Sequence, residues 1–133
     1  MKVRVLLVDD DAVVLLTLKA VLELHSFEVD TATSLAGARE KLTTHEYDVV
    51  ISDVRMETEQ SGFEVLRLAR AQSYHPATAV LTAYPPQGDM WRDEPAESLL
   101  VKPIGTKQLV EQLEALLARH ASAPQPSRGG TTP

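Results

Sequence analysis

Short apolar runs that stop on a charged or hydroxylated residue recur along this chain, and this punctuation limits its fold more than any other feature. Val3–Val8 (VRVLLV) stops at Asp9 and Tyr47–Ser52 (YDVVIS) at Asp53. Ala77–Ala83 (ATAVLTA) carries Thr82 near its end, and Ser98–Val101 (SLLV) stops at Lys102. Runs this short, apolar and rich in β-branched residues fit strands covered on both faces. Phe27–Thr31 supplies one more strand. Helical patterns fill the intervals. Asp10–His25 is dense in Val and Leu, Ser34 stands as N-cap before Leu35–Thr44, and Gly62–Gln72 follows a polar loop, Arg55–Ser61. In Thr106–His120, Leu109, Val110, Leu113, Leu116 and Leu117 share one face. Alternating βα units joined by short links predict a doubly wound α/β domain with five parallel strands.

The segment between Thr82 and Lys102 breaks the rhythm. Pro85, Pro86 and Pro95 each lack a backbone donor and Gly88 adds freedom, so at most a degenerate fourth helix fits around Gln87–Glu94. After residue 120 the text ASAPQPSRGGTTP reads as a disordered tail or linker, leaving residues 1–120 as the folded domain.

The 133 residues suffice for one hydrophobic core, and 44% hydrophobic with 24% charged residues is a globular balance. A net charge of −6 with scattered Lys and Arg disfavours nucleic-acid binding by this domain. The absence of cysteine removes disulfides, thiolate metal sites and catalytic thiols from consideration. No stretch approaches a membrane span, and Val3–Val8 is too short for a signal-peptide core. The expectation is a soluble, cytoplasmic protein without membrane contact.

Ligands of doubly wound sheets bind beyond the carboxyl ends of the strands. Asp9, Asp10, Asp53, Thr82 and Lys102 therefore belong to one rim. Clustered carboxylates repel one another, which raises some of their pKa values and favours a hard divalent cation. Mg²⁺ suits oxygen ligands while keeping several waters. An ion and an ammonium together neutralise an incoming phosphoryl group, for which an aspartate held in line is a sufficient nucleophile. Asp11 reads instead as a helix N-terminal residue favoured by the helix dipole, and His25, His45 and His120 as residues near helix C-termini.

VLLVDDD, DVVISDVRM, AVLTA and VKPI, in this order and spacing, resemble the hallmarks of the response-regulator receiver family over residues 2 to about 120. The resemblance implies a flavodoxin-like strand order, 2-1-3-4-5. It makes Asp53 the phosphoacceptor, Asp10 a direct Mg²⁺ ligand and Asp9 a ligand largely through water. Arg55 would lend its backbone carbonyl to the metal, Thr82 is the switch hydroxyl, and Lys102 contacts phosphate ahead of a cis bond to Pro103. The phosphoryl donor would be a histidine kinase or a histidine phosphotransfer protein. Such a domain is a signalling module, catalysing only its own phosphorylation and dephosphorylation and acting on a downstream effector.

The sequence departs from that family in several places. Leu99 stands where an aromatic residue usually couples to the threonine. Glu57 stands where proline is common, the loop before Gly62 is slightly long, and the Thr82–Lys102 stretch is slightly short. These departures predict an altered output face around Leu99, Tyr84 and Trp91, with Tyr84–Glu97 as a mobile segment through which output runs and Trp91 as a partner anchor. Arg55 and Tyr84 occupy positions that tune phosphate lifetime in the family, and their bulk predicts slow dephosphorylation. Two other readings compete. One is a vestigial receiver acting as a phosphorylation-independent interaction module. The other is a phosphatase resembling the haloacid dehalogenase family, because LLVDDDAV fits its nucleophile motif with Asp9 as nucleophile. That family also needs an acidic pair after the lysine, and no aspartate follows Lys102.

Overall fold

A computed structural model describes residues 2–54, 56, 61–82, 96–102 and 104–122. Five strands and four helices are present among these residues: β1 (Arg4–Val8), α1 (Ala12–Leu24), β2 (Glu28–Ala32), α2 (Leu35–Thr44), β3 (Val49–Asp53), α3 (Ser61–Arg70), β4 (Ala77–Thr82), β5 (Ser98–Val101) and α4 (Thr106–Ser122). All strand pairings are parallel, and the order is β2-β1-β3-β4-β5, as the sequence predicts. The expected fourth helix around Gln87–Glu94 lies outside the described residues, as do residues 123–133 of the expected tail. The last helix runs through Ser122, two residues past the expected boundary at His120.

Alternation along each strand divides the core into two layers. Val5, Leu7, Val49, Ile51, Ala79 and Leu81 face α1 and α4, where Leu18, Leu22, Leu109, Leu113 and Leu116 meet them. Leu6, Val8, Val50 and Val80 face the other way, onto Ala38 and Leu42 of α2 and Val65, Leu66 and Ala69 of α3. Burial on both faces explains why β1, β3 and β4 read as continuous apolar runs rather than alternating ones. Leu15, Leu18 and Leu22 bury one face of α1, whereas Val13 and Leu16 remain more than two-thirds exposed.

Local chemistry sets the helix starts. The Asp11 side chain accepts from Val13 N at 3.0 Å and Val14 N at 3.3 Å, so Asp11 is the N-cap of α1. Ser34 caps α2 by accepting from Gly37 N at 3.0 Å. Each contact satisfies an amide that the helix itself leaves unpaired. His25 and His45 are the C-caps of α1 and α2.

Candidate functional site at the carboxyl ends of the strands

Register assembles the rim. Val8 pairs with Ser52, so Asp9 and Asp53 emerge side by side from β1 and β3, where the strand order reverses. Asp53 pairs with Leu81 and Thr82 with Val101, which brings Thr82 and Lys102 to the same edge. The Lys102 amide donates to the Thr82 carbonyl at 2.8 Å and carries the ladder one residue past β5.

Two residues fix the main chain around Asp53. The Ser52 hydroxyl, fully buried, donates to the Asp53 carbonyl at 3.0 Å. Gly62, in the first turn of α3, donates its amide to the Val54 carbonyl at 2.9 Å. A β-carbon on Gly62 would stand 1.8 Å from the Asp53 carbonyl oxygen, so only glycine lets the helix approach this closely. The sequence places Gly62 at the start of a helix, but its contact with a strand end is visible only in three dimensions.

The carboxylates differ sharply in environment. Asp9 is buried, with one oxygen accepting from the Asp11 amide at 2.9 Å and the other from Lys102 Nζ at 2.8 Å. Among the described residues Asp53 is less engaged, with Lys102 Nζ 3.8 Å away and its side chain 13% exposed. Asp10 is exposed. One carboxylate oxygen from each of the three lies within 4.8 Å of the others. Buried Thr82 completes the edge. Leu99 is partly buried against the layer that includes Val80 and Phe63. The residues Arg55, Tyr84, Trp91 and Pro103, each given a role by the sequence, lie outside the described residues.

Electrostatics follows from this crowding. Burial, then the charge of Asp9 and to a smaller extent that of Asp10, push the Asp53 carboxyl up to about 6, against the pull of Lys102 and a hydrogen bond from the Val54 amide. Burial also disfavours the Lys102 ammonium. The hydrogen bond to Asp9 and the charges of Asp53, Asp9 and Asp11 outweigh that cost and raise its pKa. A carboxyl raised in the folded state stabilises the fold fully below its ordinary value of 3.8, and that contribution is lost as pH rises through about 6. Asp53→Asn is therefore expected to stabilise the metal-free protein at pH 7, by up to about 3 kcal/mol. The gain should disappear near pH 4. Urea unfolding at the two pH values checks both halves.

The donor set suits a hard cation. Three carboxylates converge, one of them exposed enough to leave room for water ligands, which is the pattern Mg²⁺ favours. With Lys102 already on Asp9, direct coordination would fall most readily to Asp10 and Asp53, and Asp9 would act through water.

Comparison with known proteins agrees with this geometry. The response regulator receiver domain family matches residues 5–114. The transcriptional regulatory protein PrrA of Mycobacterium tuberculosis is 36% identical over 121 residues, covering 90% of this chain and 52% of that protein. The regulatory protein VanRB of Enterococcus faecalis is 33% identical over 132 residues, 98% of this chain and 59% of that one. The chain thus spans about half the length of the curated relatives it matches. Among solved structures, the chemotaxis response regulator CheY4 of Vibrio cholerae superposes with a TM-score of 0.77 at 29% identity, covering 87% of this chain and 99% of that one. A CheY-like receiver domain protein of Methanospirillum hungatei reaches a TM-score of 0.82 at 22% identity, covering 92% and 98%, a likeness that speaks for the fold alone. A strand order, a rim of carboxylates facing a lysine, and a family match over most of the domain converge on one answer: this chain belongs to the response regulator receiver domain family of two-component signalling.

Proposed function

We propose that the chain accepts a phosphoryl group on Asp53 from the phosphohistidine of a histidine kinase or a histidine phosphotransfer protein, in a Mg²⁺-dependent reaction. The observation that carries this reading is the unequal engagement of the two buried-end carboxylates. Both oxygens of Asp9 are occupied, by the Asp11 amide and Lys102. Asp53 is 13% exposed, and among the described residues its nearest ammonium, that of Lys102, is 3.8 Å away. An Asp53 oxygen forms the bond to phosphorus while the phosphorus–nitrogen bond breaks, and the electron pair stays with the departing imidazole. Lys102 would turn from Asp9 to the arriving phosphoryl oxygens, and the Thr82 hydroxyl would donate to one of them. Bound Mg²⁺, held by Asp10, Asp53 and the Arg55 carbonyl, would neutralise charge on those oxygens. The same inequality argues against a phosphatase with Asp9 as nucleophile.

The chain's chemistry is then its own phosphorylation and dephosphorylation, and its output is a contact with a downstream effector through the face around Leu99, Tyr84 and Trp91. Leucine at position 99 has neither ring nor hydroxyl to follow Thr82, which supports a readout unlike the usual one. Among the described residues no helix is long and apolar enough to cross a membrane, in keeping with a cytoplasmic site of action.

Phosphoramidate carries the same phosphorus–nitrogen bond as phosphohistidine and tests the donor chemistry. With Mg²⁺ it is expected to phosphorylate the wild type once, and chelation of the metal should abolish labelling. A folded protein that takes no phosphoryl group with or without Mg²⁺ would favour the interaction-module reading.

A further inference from the structure

At the pole of the sheet opposite the acidic rim, His120 of α4 makes two contacts that a neutral imidazole cannot satisfy together. Its Nδ1 lies 2.8 Å from a carboxylate oxygen of Glu97, and its Nε2 lies 2.8 Å from the His75 carbonyl oxygen. Both partners can only accept. A neutral ring carries one N–H and serves one of them, whereas an imidazolium serves both.

Each partner is itself anchored. The second carboxylate oxygen of Glu97 accepts from the Thr78 amide in β4 at 3.1 Å. The Glu97 amide donates back to the Thr78 carbonyl at 2.9 Å. Glu97 stands one residue ahead of β5, and His75, at φ 47°, lies in the turn between α3 and β4. The ring therefore joins three parts of the fold: the C-terminal end of α4, the entry to β5 and the α3–β4 turn.

We infer that His120 is a proton-operated latch, which as an imidazolium fastens the end of α4 to the entry of β5 and to the α3–β4 turn, and on losing a proton gives up one of those two contacts. Among the described residues, the charged groups acting on the ring include Glu97 ahead of β5 and, opposing it, Arg70 of α3, while His75 contributes its carbonyl. Burial disfavours the charged ring, but the hydrogen bonds to Glu97 and His75 and the Glu97 charge outweigh both burial and Arg70, holding its pKa above the ordinary 6.5. The latch's stabilisation is thus fully present below pH 6.5 and is lost as pH rises through the higher folded-state value. Because β5 and α4 are held by one ring, whatever reads either element meets a tighter surface in the more acidic half of this range. Nothing in the latch depends on Asp53 being phosphorylated.

Nitrogen-detected NMR of the full chain between pH 5 and 9 tests this directly. The expected result is a His120 ring with both nitrogens protonated at pH 6.5 and a midpoint above that of an ordinary histidine, falling in Glu97→Gln. As the ring deprotonates, amide protection at Thr78 and in the last turn of α4 should drop roughly tenfold after correction for intrinsic exchange, the size expected of one charge-assisted hydrogen bond. A neutral single tautomer in the wild type at pH 6.5 would overturn the inference even if the variant failed to fold. So would a folded Glu97→Gln with an unchanged midpoint.

Discussion

Gly62→Ala is expected to destabilise the domain by roughly 3 kcal/mol or more and to strip Asp53 of most of its reactivity. The added carbon would fall 1.8 Å from the Asp53 carbonyl oxygen and 2.7 Å from both the Asp53 carbonyl carbon and Val54 Cα. All three are main-chain atoms, so no change of rotamer relieves the overlap. Either α3 lifts away, breaking the 2.9 Å bond from the Gly62 amide to the Val54 carbonyl, or the end of β3 moves and takes Asp53 with it. The first route costs stability and the second costs geometry at the proposed nucleophile, where a shift of about 1 Å is worth orders of magnitude in rate. Gly105→Ala is the control, because nothing lies within 4 Å of its added carbon. It should fall within about 0.5 kcal/mol of wild type. Urea unfolding of both variants, with phosphorylation rates taken where each is folded, measures the two effects separately. A Gly62→Ala protein as stable and as reactive as wild type would mean that α3 does not press on the end of β3 at Gly62.

Lys102→Met comes second in expected size, with a loss of about 3 kcal/mol at pH 7 in the absence of metal. The substitution keeps the apolar stem and removes the ammonium that binds a carboxylate only 3% exposed. Asp9 and Asp53 would then face each other with no cation of the described residues paired to either. The sign is fixed by the raised lysine pKa. Its stabilisation is fully present at every pH below the ordinary 10.5 and is lost only above the folded-state value, so pH 7 reports the whole effect. Added Mg²⁺ should recover part of the lost stability, because the cation takes over charge balance at the cluster. Phosphorylation should remain slow even then, as Mg²⁺ would not restore the second cation proposed for the phosphoryl oxygens. Stability equal to wild type without metal would show that the ion pair contributes nothing.

The sheet was legible in the sequence because strands buried on both faces leave an unbroken apolar trace. β1, β3 and β4 each do so, and each stops at a residue the rim uses. Edge strand β2 was weaker, since Glu28, Asp30 and Thr31 interrupt it. The boundary errors were small and had local causes: Asp11 delays α1 by capping it, and the main-chain pairing of β3 continues through Asp53 itself. Asp9, Asp10, Asp53, Thr82 and Lys102 could be named from the punctuation alone. Their division of labour could not. That Lys102 sits on Asp9 rather than Asp53 depends on Å-scale differences between neighbouring strand ends. The roles of Ser52 and Gly62 depend on how closely α3 approaches β3, which no periodicity encodes. The Glu97–His120 pair joins residues far apart in sequence, and His120 alone read as a residue near a helix C-terminus.

Asp53, and not Asp9, is expected to take the phosphoryl group. Intact mass after incubation with acetyl phosphate and Mg²⁺, compared across wild type, Asp53→Asn and Asp9→Asn, tests it most directly. The expected result is a gain of one phosphoryl group in wild type, none in Asp53→Asn, and slower but detectable labelling in Asp9→Asn. Label that survives Asp53→Asn and vanishes in Asp9→Asn would contradict it and restore Asp9 as the nucleophile.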